Sequence, residues 1–126
     1  MNPKFLECEF ELAMKRILVV DDEKDIAILL QAILQSAGFR VKAVTSFKAA
    51  LAELHCSPYD VIFLDVNIGS ENGLSLVPMI RRRHPDAEIV VITAQNLHEI
   101  FELSTAVDIK KFISKPFNKA DILKAV

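Results

Sequence analysis

The sequence predicts an α/β fold in which five parallel strands form one open sheet with helices on both faces. Short β-branched runs and helical stripes of apolar residues alternate five times along the chain, which is typical of strand–helix–strand units. A length of 126 residues is enough for one such domain with a single buried core. A closed barrel of eight strand–helix units needs about 250 residues and is therefore excluded.

The first third of the chain predicts two strands joined by an amphipathic helix. Arg16–Asp21 is a short apolar run that ends in acid, as expected of a parallel strand buried on both faces. Apolar residues then recur every three or four positions over 26–37, the pattern of a helix with one buried face. Gly38 is the expected end of this helix, and Phe39–Val44 is the expected second strand.

The middle of the chain repeats the pattern. Ser46 is the expected N-cap of a second helix, whose apolar stripe runs over 47–54. Tyr59–Asp65 predicts a third strand that again ends in an aspartate, and Val66–Asn72 predicts a polar turn. Gly73–His84 is then expected to be helical up to the following proline.

The last third completes the five units. Glu88–Thr93 predicts the fourth strand, Gln95–Val107 a fourth helix and Lys111–Ser114 a short fifth strand. Asn118 is expected to cap a last helix that runs to Val126, which is about two turns and predicts a truncated element.

Composition and charge limit the binding partners and the cellular compartment that the sequence predicts. With 15 basic and 17 acidic residues, the net charge of −2 predicts no general attraction to nucleic acid or to acidic membranes. No apolar run approaches the roughly 20 residues of a membrane helix, and Met1–Ala13 lacks the pattern of a signal peptide. Cys8 and Cys56 are far apart and predict free thiols in a reducing compartment, so the expected location is the cytoplasm.

Polar side chains fall where the predicted strands end. Asp21 and Asp22 close the first strand and Asp65 closes the third. Thr93 closes the fourth strand, and Lys115 follows the fifth. Because ligands of open parallel sheets bind outside the carboxyl ends of the strands, these side chains are expected to meet at one site. Three clustered carboxylates repel one another, and a divalent cation such as Mg²⁺ removes that conflict.

Four motifs in order carry a family resemblance. ILVVDDE at 17–23, VIFLD at 61–65, VVITA at 90–94 and FISKPF at 112–117 resemble the receiver domain of two-component response regulators. The resemblance covers about residues 14–126, nearly the whole chain. It implies a flavodoxin-like, doubly wound (βα)5 fold whose five-stranded parallel sheet has the order 2-1-3-4-5.

The resemblance implies a role for each residue of the site. Asp65 would be the nucleophile that takes a phosphoryl group from a phosphohistidine and forms an aspartyl phosphate. Asp22 and Asp65 would bind Mg²⁺ directly, Asp21 through water, and Asn67 through its backbone carbonyl. Phosphoryl transfer is mostly positioning and charge neutralisation, for which a metal and one fixed cation suffice, and Lys115 would be that cation.

A conformational switch is implied as well. Lys115 would be aimed inward by a cis bond to Pro116, and the Thr93 hydroxyl would donate to a phosphoryl oxygen. The Phe112 ring would fill the space that Thr93 leaves, and the small Ala94 would leave the site open to a partner's histidine. The face formed by the fourth helix, the fifth strand and the last helix would then change shape.

The partners implied by the family are a sensor histidine kinase or a histidine phosphotransfer protein. A second copy bound through the switching face and a downstream output domain are further expectations. The domain itself is expected to bind neither nucleic acid nor membrane. It is not expected to be an enzyme beyond catalysing its own phosphorylation and dephosphorylation.

Some positions depart from the family pattern. Gly69 stands where a proline is common, with Asn72–Gly73 as the expected turn, so the loop is expected to form with less rigidity. Asp108–Ile109 stands where the family usually has a Gly-Ala turn before the fifth strand. The pattern therefore predicts the connection and the orientation of the fourth helix less closely. Lys110–Lys111 add a basic spot best explained as solvated lysines, and Arg81–Arg83 complement a helix C-terminus better than they predict nucleic-acid binding.

Three alternative functions fit the sequence less well than the receiver hypothesis. A phosphorylation-independent interaction or dimerisation module with this fold would be expected to have a damaged site, whereas the five site residues from Asp21 to Lys115 are intact. A phosphatase using an aspartyl phosphate generally needs an acid where this chain has Asn67. A flavodoxin-like electron carrier needs a phosphate-binding loop where this chain has Asp21-Asp22-Glu23.

The first 13 residues lie outside the resemblance. Met14-Lys15-Arg16 is itself a typical start of a receiver domain, so residues 1–13 are either an added arm or the result of an upstream start codon. Their apolar side chains have two open interpretations, packing on a neighbouring molecule or packing on the domain itself. These side chains are Phe5, Leu6, Phe10 and Leu12.

Overall fold

A five-stranded parallel sheet forms the centre of the molecule. A computed structural model describes residues 15–94, residue 98 and residues 109–126. The strand order, numbering strands of this sheet along the chain, is 2-1-3-4-5, as predicted. The strands are β1 (Arg16–Val20), β2 (Arg40–Val44), β3 (Val61–Asp65), β4 (Glu88–Thr93) and β5 (Lys111–Ser114).

Helices connect the strands and flank the sheet. None of the helices in the described part of the chain is long and apolar enough to span a membrane. The predicted fourth helix, Gln95–Val107, lies outside the described residues except for His98. The described helices are α1 (Lys24–Ser36), α2 (Phe47–Cys56), a 3-10 turn (Gly73–Leu76) that leads into α3 (Val77–Arg83), and the C-terminal helix (Lys119–Lys124).

The predicted helix boundaries depend on local capping, and the structure confirms the three caps. Gly38 follows α1 with a positive φ of 95°. The Ser46 hydroxyl accepts a hydrogen bond from the Ala49 amide at the start of α2. Asn118 and Asp121 form a reciprocal capping box at the start of the C-terminal helix, which ends at Lys124, short of the predicted Val126.

The segment after β3 differs from the prediction. Residues 66–72 were predicted to form a turn, and they contain a two-stranded antiparallel hairpin, Asn67–Ile68 with Glu71–Asn72. Its turn lies at Gly69, whose φ is 62°, and not at Asn72–Gly73, because the left-handed conformation is needed where the hairpin reverses. Residues 73–76 form a 3-10 turn in place of the first part of the predicted helix.

The sheet is buried on both faces. Every residue of β3 is buried, and so are Ile17–Val20 of β1. One cluster of buried side chains, which includes Leu18 and Ile62, packs with α2 and α3. The other cluster, which includes Ile17 and Phe63, packs with α1 and the C-terminal helix. This alternation along each strand is what a doubly wound sheet requires.

Gly73 lies against the end of β3. A Cβ atom at this position would lie 1.9 Å from the backbone carbonyl oxygen of Asp65, far inside any allowed contact. The Gly73 amide also donates to the Val66 carbonyl at 2.6 Å. The glycine is therefore required for close approach of two backbone segments, and it fixes the peptide that carries Asp65.

We expect Gly73→Ala to lower the free energy of unfolding by about 3 kcal/mol, because the backbone of Asp65 has to move to admit the methyl group. Gly69→Ala is the matched control. Its added methyl meets nothing within 4 Å and has only the strain of a positive φ, so it should cost about 1 kcal/mol. Urea unfolding of both variants measures the difference, and equal destabilisation would contradict the contact.

Candidate functional site

The carboxyl ends of four strands converge on one site. Asp21 and Asp22 follow β1, and Asp65 is the last residue of β3, which pairs directly with β1. Thr93 ends β4, and Lys115 follows β5. The chain reverses its strand order between β1 and β3, since β2 lies on one side of β1 and the later strands lie on the other. The predicted residues therefore meet at the topological switch point, where open α/β sheets bind ligands.

The Lys115 ammonium lies at the centre of this group. Its Nζ is 2.9 Å from Asp21 Oδ2, 3.1 Å from Asp65 Oδ2 and 3.0 Å from Glu23 Oε1. The Lys115–Pro116 peptide bond is cis, as the family resemblance implies. The Lys115 amide donates to the Thr93 carbonyl at 2.9 Å, so the end of β4 holds the lysine backbone.

Asp65 is buried, and its charge is poorly compensated. Burial is the largest cause that raises the pKa of its carboxyl, and the charge of Asp21 adds to it; against the lowering effect of Lys115, the pKa is raised to about 6. The Asn67 amide donates to Asp65 Oδ1 at 3.2 Å. Burial lowers the pKa of Lys115, but its carboxylate partners outweigh burial and raise the pKa above its ordinary value. The lysine is thus a permanent cation beside a carboxylate that is easily protonated.

Asp21 has a carboxylate oxygen that the protein only partly satisfies. The side chain is 1% exposed, and its Oδ1 accepts a hydrogen bond from the Glu23 amide at 2.9 Å. Its Oδ2 is at ion-pair distance from Lys115 but has no hydrogen bond of acceptable geometry among the described residues. A buried acceptor without a directed donor is the kind of atom that a metal ion, or water bound to one, satisfies.

The donor set around this oxygen fits a hard divalent cation. Carboxylate oxygens of Asp21, Asp22, Glu23 and Asp65 all lie within 4.8 Å of one another. An all-oxygen set that retains exposed members suits Mg²⁺, which keeps several water ligands. Asn67, whose backbone carbonyl is the other predicted ligand, is exposed two residues beyond Asp65.

Asp22 has a partner that the family's usual residue would not provide. Its Oδ2 accepts a hydrogen bond from the Gly69 amide at 2.9 Å, which joins the loop after β1 to the hairpin after β3. A proline at position 69 would have no amide hydrogen to donate. The departure at Gly69 therefore fixes the orientation of a predicted metal ligand.

The two predicted switch residues lie next to the site on adjacent strands. Thr93 is fully buried at the end of β4 and pairs in register with Ser114. Phe112, two residues earlier in β5, is half-buried against the cluster of side chains on the α2 face. Ala94, which follows Thr93, is exposed.

Glu23 belongs to the site and was absent from the predicted site residues. Its side chain is 61% exposed and extends over the edge of the site to Lys115. The signal in the sequence was the unbroken run of three acids at 21–23. That run does not reveal which of the three carboxylates reaches the lysine, because this depends on side-chain conformation.

Comparison with known proteins gives one consistent result. Residues 17–126 match the sequence model of the response regulator receiver domain. The nitrogen assimilation regulatory protein NtrX of Azorhizobium caulinodans is 36% identical over 104 residues, covering 81% of this chain and 23% of that protein. The chain spans about half or less of the length of the curated relatives it matches.

Solved structures agree in fold. Chemotaxis protein CheY4 of Vibrio cholerae superposes with a TM-score of 0.82 at 31% identity, covering 89% of this chain and 95% of that one. A response regulator from Burkholderia pseudomallei, solved with a phosphorylated aspartic acid, calcium ion and citrate, also gives 0.82. Its identity is 28%, with 88% of this chain and 65% of that chain covered.

The environment of Asp65 predicts a pH dependence of stability in the absence of metal. An acid whose pKa rises from 3.8 to about 6 on folding binds its proton more tightly when folded, so its contribution to stability falls as pH rises through that window. Asp65→Asn removes this cost. The variant should therefore gain stability over the wild type between pH 4 and pH 7.5, by about 2–3 kcal/mol.

Urea unfolding in EDTA at both pH values measures this gain. Asp86→Asn, at an exposed position, is the matched control and should follow the wild type at both pH values. A difference between Asp65→Asn and wild type that is the same at both pH values would contradict the raised pKa.

Proposed function

The chain belongs to the response regulator receiver domain family, and we propose that Asp65 is its phosphoacceptor in a two-component system. The observation that carries the proposal is the contact of 3.1 Å between Lys115 Nζ and Asp65 Oδ2 at the carboxyl edge of the sheet. A buried carboxylate held beside a permanent cation combines a nucleophile with a positive charge that favours transfer of a phosphoryl group.

The transfer forms one bond and breaks one. An oxygen of the ionised Asp65 carboxylate attacks phosphorus, and the bond from phosphorus to the imidazole nitrogen of a partner's phosphohistidine breaks. The leaving nitrogen keeps the electron pair, and the product is an aspartyl phosphate. Negative charge spreads over the phosphoryl oxygens during this step, and Lys115 lies close enough to neutralise part of it.

Asp21, Asp22, Asp65 and the backbone carbonyl of Asn67 would hold Mg²⁺ at this site. When bound, the metal supplies charge neutralisation for the phosphoryl oxygens. The partly satisfied Asp21 oxygen and the mutual distances of the carboxylates support this assignment. The Gly69 amide contributes by holding Asp22 in place.

Thr93 and Phe112 would convert phosphorylation into a change of surface. The Thr93 hydroxyl donates to a phosphoryl oxygen, and its movement toward the site leaves space for the ring of Phe112. Because Phe112 has no hydroxyl, only packing of the ring reports the change. The exposed Ala94 supports access by a histidine from a partner.

The partners follow from this chemistry. The phosphoryl donor would be a sensor histidine kinase or a histidine phosphotransfer protein in the cytoplasm. The surface around β5 and the C-terminal helix, with the predicted fourth helix, would bind a second copy or another partner after phosphorylation. The greater length of the curated relatives supports a role for this domain in controlling an attached output domain.

We expect the chain to gain one phosphoryl group when it is incubated with acetyl phosphate and Mg²⁺, as read by intact-protein mass. Asp65→Asn and EDTA should each abolish the gain, because one removes the nucleophile and the other removes the metal. Asp60→Asn is the matched control, since it makes the same substitution just before the other end of β3 and should leave the gain unchanged.

The same assay also tests the alternative function, a phosphorylation-independent interaction module. Label that persists in Asp65→Asn would move the acceptor elsewhere. Absence of both phosphorylation and beryllofluoride binding would favour a phosphorylation-independent interaction module.

We expect Lys115→Ala to separate phosphorylation from the switch. Beryllofluoride with Mg²⁺ should shift the amide NMR resonances of Thr93 and Phe112 in the wild type. In Lys115→Ala these shifts should fall by at least about half, while Asn67 beside the acceptor still responds. Lys111→Ala, which removes a lysine paired with Glu88 at the opposite end of β5, is the control. Unchanged Thr93 and Phe112 shifts in Lys115→Ala would remove its role in the switch.

A further inference from the structure

Glu23 contacts the candidate site, but the proposed reaction gives it no role. Its Oε1 accepts a hydrogen bond of 3.0 Å from Lys115 Nζ, although the two residues are 92 positions apart in the chain. Glu23 is also the N-cap residue of α1, and its side chain makes no capping hydrogen bond there. An N-cap side chain usually accepts from an amide of the first helical turn. The carboxylate is therefore directed to the lysine instead of to its own helix.

The Lys115 ammonium has as many carboxylate neighbours as it has donors. An ammonium group carries three N–H donors. Three carboxylate oxygens lie within 3.1 Å of Lys115 Nζ, one each from Asp21, Glu23 and Asp65. A phosphoryl group on Asp65 also needs this cation, since neutralisation of its charge is the main contribution of the protein to phosphoryl transfer. The phosphoryl oxygens and the carboxylates therefore compete for one ammonium.

The three carboxylates differ in how readily they can leave the lysine. Asp21 and Asp65 are 1% and 6% exposed, so moving either of them rearranges buried groups. The Asp21 carboxylate is also held by the Glu23 amide, which donates to its Oδ1 at 2.9 Å. Glu23 is 61% exposed, and its carboxylate can turn into water without loss of burial. It then remains at the N-terminus of α1, where a negative charge is favourable.

Phosphorylation acts on the contact between Glu23 and Lys115 through charge. A carboxylate oxygen of Glu23 lies within 4.8 Å of one of Asp65. A phosphoryl group bonded to Asp65 brings further negative charge to this place, and like charges at such a distance repel each other. The attraction that opposes this repulsion is small, because an ion pair with an exposed partner contributes little. Glu23 is thus the partner of Lys115 that gives way.

We propose that Glu23 is a positioning residue that holds the Lys115 ammonium while Asp65 is unmodified and releases it to the phosphoryl group. This role rests on the proposed function of Asp65 as the phosphoacceptor. Glu23 is then an internal competitor of the phosphoryl group, and its charge favours the unphosphorylated state.

Binding of beryllofluoride, an analogue of the phosphoryl group, tests the competition. The full chain is titrated at saturating Mg²⁺, and the amide NMR resonance of Asn67 beside Asp65 reports binding. Glu23→Gln should bind beryllofluoride about threefold more tightly than the wild type, the size expected when one exposed ion pair no longer competes. Glu71→Gln is the matched control, since it makes the same substitution at an exposed position outside the group of four carboxylates, and it should leave the affinity unchanged.

The Lys115→Ala background shows whether the effect passes through the lysine. The ammonium for which the two anions compete is absent there, so the gain in affinity from Glu23→Gln should fall below about 1.5-fold. A gain of the same size in both backgrounds would overturn the proposal, because it would mean general repulsion in place of competition for Lys115.

Titration with Mg²⁺ alone separates a second explanation. Glu23 lies beside the carboxylates that would hold the metal, so its loss could act on the metal instead of on the lysine. Glu23→Gln should lower the affinity for Mg²⁺ by no more than about twofold, because the charge of an exposed group that does not bind the metal is largely screened. A larger loss of Mg²⁺ affinity with no gain in beryllofluoride affinity would make Glu23 a metal ligand and would overturn the proposal.

Two results separate this role of Glu23 from the proposed function. A wild type that binds beryllofluoride, with Glu23→Gln binding it no more tightly, would overturn the role of Glu23 alone. A wild type that neither binds beryllofluoride nor gains a phosphoryl group would overturn the proposed function and the role of Glu23 with it.

Discussion

The main physical constraint on the candidate site is the repulsion among four carboxylates that lie around one lysine ammonium. Asp21, Asp22, Glu23 and Asp65 lie within 4.8 Å of one another, and Lys115 contacts three of them. With all groups ionised the cluster has a charge of −3, since four carboxylates are offset by one lysine. Burial, with a smaller contribution from the charge of Asp21, raises the pKa of Asp65 despite the ammonium of Lys115. A site of this kind favours an added cation, because a cation lowers the repulsion among the carboxylates.

The hydrophobic core keeps these charges together. β1 and β3 are adjacent and buried on both faces, so their ends cannot separate without exposing both clusters of apolar side chains. Gly73 adds a second restraint, because it packs directly against the Asp65 carbonyl. The unfavourable electrostatics of the site are thus offset by burial elsewhere in the sheet, as is common where binding sites contain unbalanced charge.

Local signals in the sequence were sufficient for most of the fold. The continuous apolar runs of β1, β3 and β4 and the caps at Gly38, Ser46 and Asn118 are local features, and the structure confirms them. The hairpin after β3 and the 3-10 turn were missed, because they depend on a tertiary contact between Gly73 and Asp65. Convergence of the site residues followed from the topology of parallel strands. The individual hydrogen bonds of the site could not be predicted, because they depend on loop and side-chain conformation. Examples are the bonds from the Gly69 amide to Asp22 and from the Lys115 ammonium to Glu23.

The backbone hydrogen bond between Lys115 and Thr93 joins the end of β4 to the segment that leads into the C-terminal helix. The Lys115 amide is held by the Thr93 carbonyl, and three residues later Asn118 starts the C-terminal helix with a capping box on Asp121. The end of β4 and the start of this helix are therefore joined by one backbone hydrogen bond and three residues of chain. This connection consists of main-chain atoms alone, so it does not depend on which aromatic ring occupies position 112.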